Sequence, residues 1–406
     1  MKNNYLVGID IGTKKVATII GEVKAVEERE ELEVIGYGVA ESNGMRKGVI
    51  VDMHTTIEDI KKSVKEAELT AGVEIESAYI NISGSHIQSI NAKGSINITG
   101  RNHEITKEDV DRAVTHGSSI MLPNDKDVLH VLPQEFIVDA QDDIKNPIGM
   151  IGTNLEVYIL IVTASTAAVK NLLICLKKAK IDVVKTVLSH IATAQSVLTP
   201  DEKELGVALI DIGGGTTDVA VFEKGALGFA ATIGAGGYNF TNDLAIGTRT
   251  PIDKAESIKR KYGCGTDPNL RNQNIEIPSM GGKKKRVISA SLLADILKPR
   301  AEEIFEMAKR KIEDEGLENK INAGIVITGG SAVLDGLLEI ADEIFSAPVR
   351  IGRPIGIGGL IDKVNTPEFA TSVGLIKYGM MDMKDRGMFR SQPQGFLQKL
   401  KGYFNI

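Results

Sequence analysis

Apolar and β-branched positions first gather at residues 5–9 and 16–20, on either side of a turn reading Asp10-Ile11-Gly12-Thr13-Lys14-Lys15. Two such runs around a glycine-bearing turn predict a buried hairpin. The pattern returns at 207–212 and 217–222 around Gly213-Gly214-Gly215-Thr216, with Asp211 following Asp10 by 201 positions. That spacing is far too long for a solenoid unit, so it predicts two similar domains that face each other with a ligand between them.

The stretches between the hairpins fill in this plan. A third strand is expected at 32–40, then a helix that Asp52 caps, along which Ile57, Ile60, Val64 and Ala67 recur at helical spacing until Gly72 ends it. A strand follows at 79–82. From about 83 to 158 the character changes to short alternating runs, at 87–98 and 128–138, around one helix opened by Thr106 and Asp109 in the manner of a capping box. This reads as an inserted α+β subdomain, after which residues 159–164 are expected to return to the core sheet. A helix at 167–178 and a strand at 183–188 come next. The second half repeats the plan, with its own insertion and a strand at 324–328 running into Gly329-Gly330-Ser331. Strands alternating with helices in duplicated halves predict an α/β fold whose mixed sheets are flanked by helices. The expected division is a first domain of 1–83, 163–198 and 361–385 with an insertion at 84–162, and a second of 199–244 and 317–360 with an insertion at 245–316. Residues 386–394 form a short linker to a terminal helix at 395–406.

Composition narrows the function classes. The 406 residues are 42% hydrophobic and 25% charged, which excludes wholesale disorder. The longest strongly apolar run, near 157–164, falls well short of the roughly 20 residues a spanning helix needs. No basic stretch, apolar core and cleavage site precede the first strand, so a cytosolic chain is expected. Cys175 and Cys264 lack metal-site spacing and read as buried or bystander thiols. A net charge of −6 argues against a nucleic-acid partner. Glycine is abundant, 42 residues against 18 aromatics, as expected where backbone turns tightly or approaches a ligand.

The two hairpin turns carry the candidate chemistry. Backbone N–H groups in tight turns form concave anion sites, and Gly12, Gly213, Gly214 and Gly215 let the chain come within reach of phosphate oxygens. Thr13, Thr216 and Thr217 add hydroxyl donors, and Lys14 adds charge. Asp10 and Asp211 would repel phosphate, so their expected task is to hold the waters of a magnesium ion. Gly329, Gly330 and Ser331 form a third turn after an apolar strand. Gly234-Ala235-Gly236-Gly237-Tyr238-Asn239 opens a helix, where Gly236, Gly237 and Asn239 suit approach to ribose or phosphate. Glu256 and Lys259, three apart on a helix, share a face against which a nucleoside could lie. The alternative for that pair is a surface ion pair.

In this order the five elements, Asp10 to Thr13, Asp211 to Thr217, Gly234 to Gly237, Glu256 to Lys259 and Gly329 to Ser331, resemble the phosphate-1, phosphate-2 and adenosine motifs of the actin, heat-shock chaperone and sugar kinase superfamily. The chain is most similar to its FtsA family of bacterial cell-division actin homologues over about residues 5–380. That closer likeness rests on Gly44-Met45-Arg46-Lys47-Gly48, His130-Val131-Leu132-Pro133-Gln134-Glu135, Lys145-Asn146-Pro147-Ile148-Gly149 and the run 196–206. The resemblance implies an actin-like fold whose four parts are 1A, 1C (84–162), 2A and 2B (245–316), with ATP and Mg2+ as cofactors. It also implies self-association into protofilaments, a place on the cytoplasmic face of the membrane at the division septum, contact with other division proteins, and binding of the C-terminal peptide of the ring protein FtsZ on 2B. That peptide is typically acidic and apolar, so a basic site is expected. Lys298 and Arg300 are the candidates, with the run Lys283-Lys284-Lys285-Arg286 as the alternative. In chaperone- and MreB-like relatives an acidic residue often follows the strand that ends here at Leu188. Residues 189–195 contain no carboxylate, only His190, so at most slow ATPase activity is expected, with ATP acting as a conformational ligand.

The C-terminus departs from the rest. Four of the 18 aromatics fall in the last 18 residues, where the average predicts fewer than one. Phe396, Leu397, Leu400, Tyr403 and Phe404 follow helical spacing, with Lys399 and Lys401 on other faces, the stripe of a basic amphipathic membrane anchor. The competing reading is a helix docked on the body. At the level of the whole chain the alternatives are a small-molecule kinase of the same superfamily, or another bacterial actin-like filament serving rod shape or plasmid segregation.

Overall fold

The computed structural model describes residues 5–26, 29–100, 102–264, 273–279 and 285–385. The first hairpin is β1 (Tyr5–Ile11) and β2 (Lys15–Val26), paired antiparallel with Asp10 opposite Ala17, and β3 (Arg29–Glu41) continues the meander. A ribbon of β4 (Met45–Arg46) and β5 (Val49–Ile50) turns through Lys47 and Gly48, both at positive φ. In α1 (Met53–Ala71) the Asp52 carboxylate accepts from the Thr55 N–H, and Gly72 stops the helix in the left-handed region at φ 71. The chain then returns as β6 (Ser77–Ile82), parallel to β1.

The insertion holds β7 (Gln88–Asn97), α2 (Lys107–Ser118), β8 (Lys126–Val138), β9 (Gln141–Ile144) and β10 (Asn154–Ser165), in sheet order β7-β10-β8-β9. Thr106 and Asp109 close both halves of the capping box on α2. The helix lies so close to β7 that a Cβ on Gly94 would stand 2.1 Å from the Ala113 carbonyl, which is why two glycines, Gly94 and Gly117, meet there. Residues 159–164 do not rejoin the first domain's sheet. They are the end of β10, which pairs with β7 and β8. The reason is two-sided burial: Ile159 and Ile161 fill the insertion's own core, while Leu160, Val162 and Ala164 pack on the main core, so the run lacks the alternation of a half-exposed strand.

After α3 (Thr166–Lys178), β11 (Asp182–Leu188) pairs parallel with β6. The crossing helix α4 (Ser189–Val197) and the short α5 (Pro200–Leu205), capped by Thr199 and Glu202, lead into the second half. There β12 (Val207–Ile212), β13 (Thr217–Glu223) and β14 (Ala226–Ile233) form the meander. Next come α6 (Gly237–Thr248), α7 (Ile252–Tyr262), β15 (Asn274–Pro278), β16 (Lys285–Ser289) and α8 (Ala290–Asp314). The half closes with β17 (Ile325–Thr328), α9 (Leu337–Phe345) and β18 (Val349–Ile351). Its order, β14-β13-β12-β17-β18, repeats β3-β2-β1-β6-β11, three antiparallel strands followed by two parallel ones. The duplication is therefore one of topology.

The two insertions differ in how they are stabilised. The first has a core of its own around Ile105, Phe136, Leu155 and Val157. In the second, Ile275, Ile277, Leu293 and Phe305 share one cluster with Ile210 and Val219 of the second sheet. The chain re-enters the first sheet at β19 (Gly358–Gly359), which pairs with β3, slightly ahead of the expected 361. After the short α10 (Ile361–Val364), α11 (Ala370–Asp385) packs on α4 and β1. Both cysteines are buried and unpaired.

Candidate functional site

The two hairpin turns close in the same way. The Gly12 N–H donates to the Lys15 carbonyl (3.0 Å) and the Gly213 N–H to that of Thr216 (2.9 Å). The turns come together tip to tip. A Cβ on Gly214 would stand 2.4 Å from Lys14 Cγ, and one on Gly215 2.7 Å from Thr13 Cγ2. Glycine is needed at both because the opposite turn occupies the space. Between the turns lies a cavity of about 510 Å3, within the range of small-molecule and cofactor sites.

Asp10, Gly12, Thr13, Lys14, Asp211, Gly213, Gly214, Thr216, Gly237, Glu256, Lys259, Gly329, Gly330 and Ser331 line it. Four of the expected residues stand behind the wall. Gly215 packs on Thr13. Thr217 is fully buried and donates to the Ala235 carbonyl (2.9 Å). Gly236 lies against the Gly213 to Thr216 backbone, and Asn239 Oδ1 accepts from the Gly236 N–H (3.1 Å) to cap α6. These four shape the turns that the lining residues present.

Three carboxylates converge at one end of the cavity. Asp10 accepts from Asn81 Nδ2 (2.7 Å), and Asp211 from the hydroxyls of Thr193 (3.1 Å) and Thr371 (3.2 Å). Asp218 accepts from Ser83 (2.7 Å) and Thr232 (2.7 Å). Burial, opposed by Lys15 and reinforced by Asp218, pushes Asp10 up to about 6. Burial together with Asp218 and Asp10 pushes Asp211 up to about 7. Their mutual repulsion marks a place short of positive charge, which is what a hydrated divalent cation relieves. Among the described residues no group of three or more His, Cys, Asp or Glu is placed to ligate a metal directly.

At the other end Lys259 is almost fully buried and donates to Glu256 (2.8 Å), Thr241 (2.9 Å) and the Gly237 carbonyl (2.9 Å). This is not a surface ion pair: it fastens α7 to the start of α6. Burial would raise the Glu256 carboxyl, but Lys259 and its hydrogen bonds from Lys259, Thr241 and Arg260 hold it down at about 2. Of the other cations, Lys14 lies 5.4 Å from the Tyr238 ring centre and Lys15 4.0 Å from that of Phe369.

His190 is buried, its Nε2 donating to the Ala231 carbonyl (2.9 Å) and standing 3.9 Å from Asp218. That nitrogen is committed to protein and not free to orient a water. Beside it in the cavity wall stands Asp218, a carboxylate on the second hairpin. Asp218, Asn81, Ser83, Thr193 and Thr371 went unassigned in the sequence. Only Asp218 left a signal there, as the end of the Gly213 to Asp218 run.

On α8, Arg300 pairs with Asp243 (2.5 Å) and Glu303, and Lys298 stands 3.5 Å from Glu343 and 3.7 Å from Glu302. Of the basic run, Lys285 pairs with Glu276 (2.8 Å) and Arg286 reaches the Thr248 carbonyl, while Lys283 and Lys284 lie outside the described residues. So do the linker and the terminal stripe of Phe396, Leu397, Lys399, Leu400, Lys401, Tyr403 and Phe404. No helix among the described residues is long and apolar enough to cross a membrane.

Residues 208–374 match the model of the cell division protein FtsA, and residues 84–163 that of the SHS2 domain inserted in FtsA. The chain is 40% identical over 381 residues to the cell division protein FtsA of Pseudomonas aeruginosa, covering 94% of this chain and 90% of that one. It is 36% identical over 411 residues to that of Borreliella burgdorferi, covering 100% and 99%. Among solved structures, a chain of the PilM–PilN type IV pilus biogenesis complex superposes with a TM-score of 0.67 at 16% identity, over 92% of this chain and 98% of that one. MreB5 of Spiroplasma citri bound to AMPPNP superposes with a TM-score of 0.59 at 15% identity, over 96% and 99%. Duplicated sheet order, facing glycine turns and these likenesses agree: the chain belongs to the FtsA family of actin-like cell-division proteins.

Proposed function

We propose that this protein binds ATP with Mg2+ in the cleft, polymerises, and tethers the FtsZ ring to the cytoplasmic face of the membrane at the division septum. A C-terminal amphipathic helix is the membrane contact, and other division proteins are recruited to the assembly. The observation that carries the nucleotide reading is the meeting of two glycine turns, tip to tip, beside three carboxylates that repel one another. The AMPPNP and ADP complexes of MreB5 on a similar fold support it.

The residues divide the work by chemistry. Backbone N–H groups of Thr13, Lys14, Gly214 and Thr216, with the hydroxyls of Thr13 and Thr216, bind phosphate oxygens. Asp10 and Asp211 hold the cation's waters, and the face of α7 bearing Glu256 and Lys259 receives the nucleoside. Mg2+, when bound, neutralises phosphate charge between the turns. With the His190 Nε2 given to Ala231, the carboxylate beside that histidine in the cavity wall is Asp218. It already accepts two hydroxyl hydrogen bonds, which favours slow turnover and a conformational role for ATP.

Isothermal titration of the full chain with ATP decides the nucleotide reading. Binding that weakens when Mg2+ is chelated, and again in Asp211→Asn, is the expected result. No binding at all would sink it, and equal affinity with and without Mg2+ in both proteins would sink the cation's part of it.

A further inference from the structure

The segments around Gln134 and Lys145 single this chain out in sequence yet play no part in the cleft. Their contacts lead elsewhere, to the edge of the opposite domain. β14 is the edge strand of the second sheet, and four of its carbonyls receive side chains rooted in the first half. Gln134 Nε2 donates to Leu227 (3.1 Å) and Gly228 (3.4 Å), Ser89 Oγ to Ala230 (2.9 Å), and His190 Nε2 to Ala231 (2.9 Å). Gln134 lies on β8 and Ser89 on β7, both in the insertion. Ion pairs flank this row: Lys224 at the β13–β14 turn meets Glu135 (3.2 Å) and Asp143 (3.0 Å), and Lys145 meets Glu204 (2.6 Å).

The insertion is also tied inward. His130 Nε2 accepts from the Leu188 N–H (3.1 Å) at the end of β11. Ser83, the last residue before the insertion, donates to Asp218 at the carboxylate end of the cleft, and Thr232 on β14 donates to the same carboxylate. One wall residue of the cleft is thus bonded both to the root of the insertion and to the strand that the insertion grips.

We propose that the inserted subdomain is a clamp between the halves, gripping β14 through Gln134 and Ser89, so that its seating and the opening of the cleft are one coupled equilibrium. Two domains joined by chain crossings alone move relative to each other by default. Here the halves cannot separate at β14 unless the His190 bond from α4 breaks and, with it, either the Gln134 and Ser89 bonds break or the insertion leaves its root at Ser83. Coupling of this kind is reciprocal: whatever displaces the insertion loosens the cleft, and whatever holds the cleft shut seats the insertion. The cleft half of the statement rests on the nucleotide reading above, while the clamp itself does not.

The test uses the full chain with spin labels at Asp111→Cys on α2 and Met307→Cys on α8, both exposed sites, the native cysteines being buried. Distances are measured without ligand in the parent, in Gln134→Ala with Ser89→Ala, in Lys224→Glu, and in Lys224→Glu with Glu135→Lys. Circular dichroism confirms that each is folded. A narrow distribution is expected in the parent, a broader one in the first two variants, and partial narrowing when the charges are exchanged. In a chase experiment, dissociation of a fluorescent ATP analogue is expected to quicken about tenfold in the double alanine variant, what the loss of one or two such hydrogen bonds amounts to. Distributions that do not differ from the parent would overturn the clamp, and broadening without faster dissociation would overturn its coupling to the cleft. Broadening in a protein whose parent binds no nucleotide at all would uphold the clamp and sink the nucleotide reading instead.

Discussion

Asp211 and Asp218 are directly opposed residues across the β12–β13 hairpin, whereas the corresponding partner of Asp10 in the first hairpin is Ala17. The second hairpin therefore brings two carboxylates to the cleft where the first brings one. Burial and this crowding raise Asp10 to about 6 and Asp211 to about 7 from the usual 3.8.

A pH dependence follows from the sign of those shifts. Between about pH 4 and 7 the folded chain holds more protons on Asp10 and Asp211 than the unfolded chain, so their contribution to stability falls as pH rises through that window. Without divalent cation or nucleotide, the melting temperature should drop between pH 5.5 and 8. Asp211→Asn should flatten the drop, and MgATP should reverse it. Thermal melts at the two pH values check this, and a parent that is more stable at pH 8 without ligand would refute it.

The Glu256–Lys259 pair works in the opposite sense. With Glu256 held at about 2, its contribution is complete above the ordinary carboxyl value of 4.5 and fades as pH falls toward 2. Lys259→Met should cost about 1–3 kcal/mol, less than the 3–5 typical of a fully buried pair because Glu256 is 24% exposed. Adding Glu256→Gln should recover part of that loss. A urea-denaturation double-mutant cycle reads the coupling, and strictly additive losses would show that the two do not act as a pair.

Much of this was legible because it is local. Asp52 before an apolar helical repeat, Thr106 with Asp109, and glycine turns between β-branched runs all encode structure within a few residues. What escaped was set by distance along the chain. Asn81 reaches Asp10 from 71 positions away, and Thr371 reaches Asp211 from 160 away. Residues 159–164 lie in the insertion's sheet and not in the core sheet expected of them, because both faces of β10 are buried, which removes the alternation that distinguishes one sheet's strand from another's. Asp218 was within reach. A turn closed between Gly213 and Thr216 puts Ile212 opposite Thr217, and the next pair outward is Asp211 and Asp218.

The crossing helices α4 and α11 meet at a contact that tolerates only glycine. A Cβ on Gly374 would stand 1.8 Å from the Ala192 carbonyl and 2.4 Å from its carbon, both backbone atoms that cannot swing aside. Gly374→Ala should therefore force the helices apart and destabilise the chain by about 1–3 kcal/mol, despite the better helix propensity of alanine. Gly100→Ala, where nothing lies within 4 Å, should stay within about 0.5 kcal/mol of the parent. Equal melting temperatures for the two variants would show that α4 and α11 can part freely.

Arg300 already pairs with Asp243 and Glu303, so an acidic FtsZ peptide docking there, as the sequence reading expects, would compete with both. Arg300→Glu should weaken peptide binding while leaving ATP binding unchanged. Asp243→Asn, which removes the strongest competitor within the chain, should tighten peptide binding several-fold. Fluorescence anisotropy with a labelled peptide measures both. If Asp243→Asn leaves the affinity unchanged, the peptide does not use the Arg300 guanidinium.

The composition of the terminal stripe sets a quantitative limit on the membrane attachment proposed above. Five apolar side chains at about 1.5–3 kcal/mol each bound the insertion energy near 8–15 kcal/mol. Partial burial, and the ordering of a helix shorter than the roughly 12–15 residues that persist in water, remove much of it. A single chain should bind vesicles weakly and reversibly, whereas a polymer presenting many tails should bind firmly through effective concentration. Co-sedimentation with anionic liposomes separates the cases. The full chain should pellet, more so with ATP and at concentrations where it polymerises, and a chain ending at Gln394 should stay in solution. Both chains remaining soluble would mean that the stripe docks on the protein body. Equal pelleting of the full chain above and below its polymerisation threshold would mean that one tail suffices and that assembly does not govern attachment.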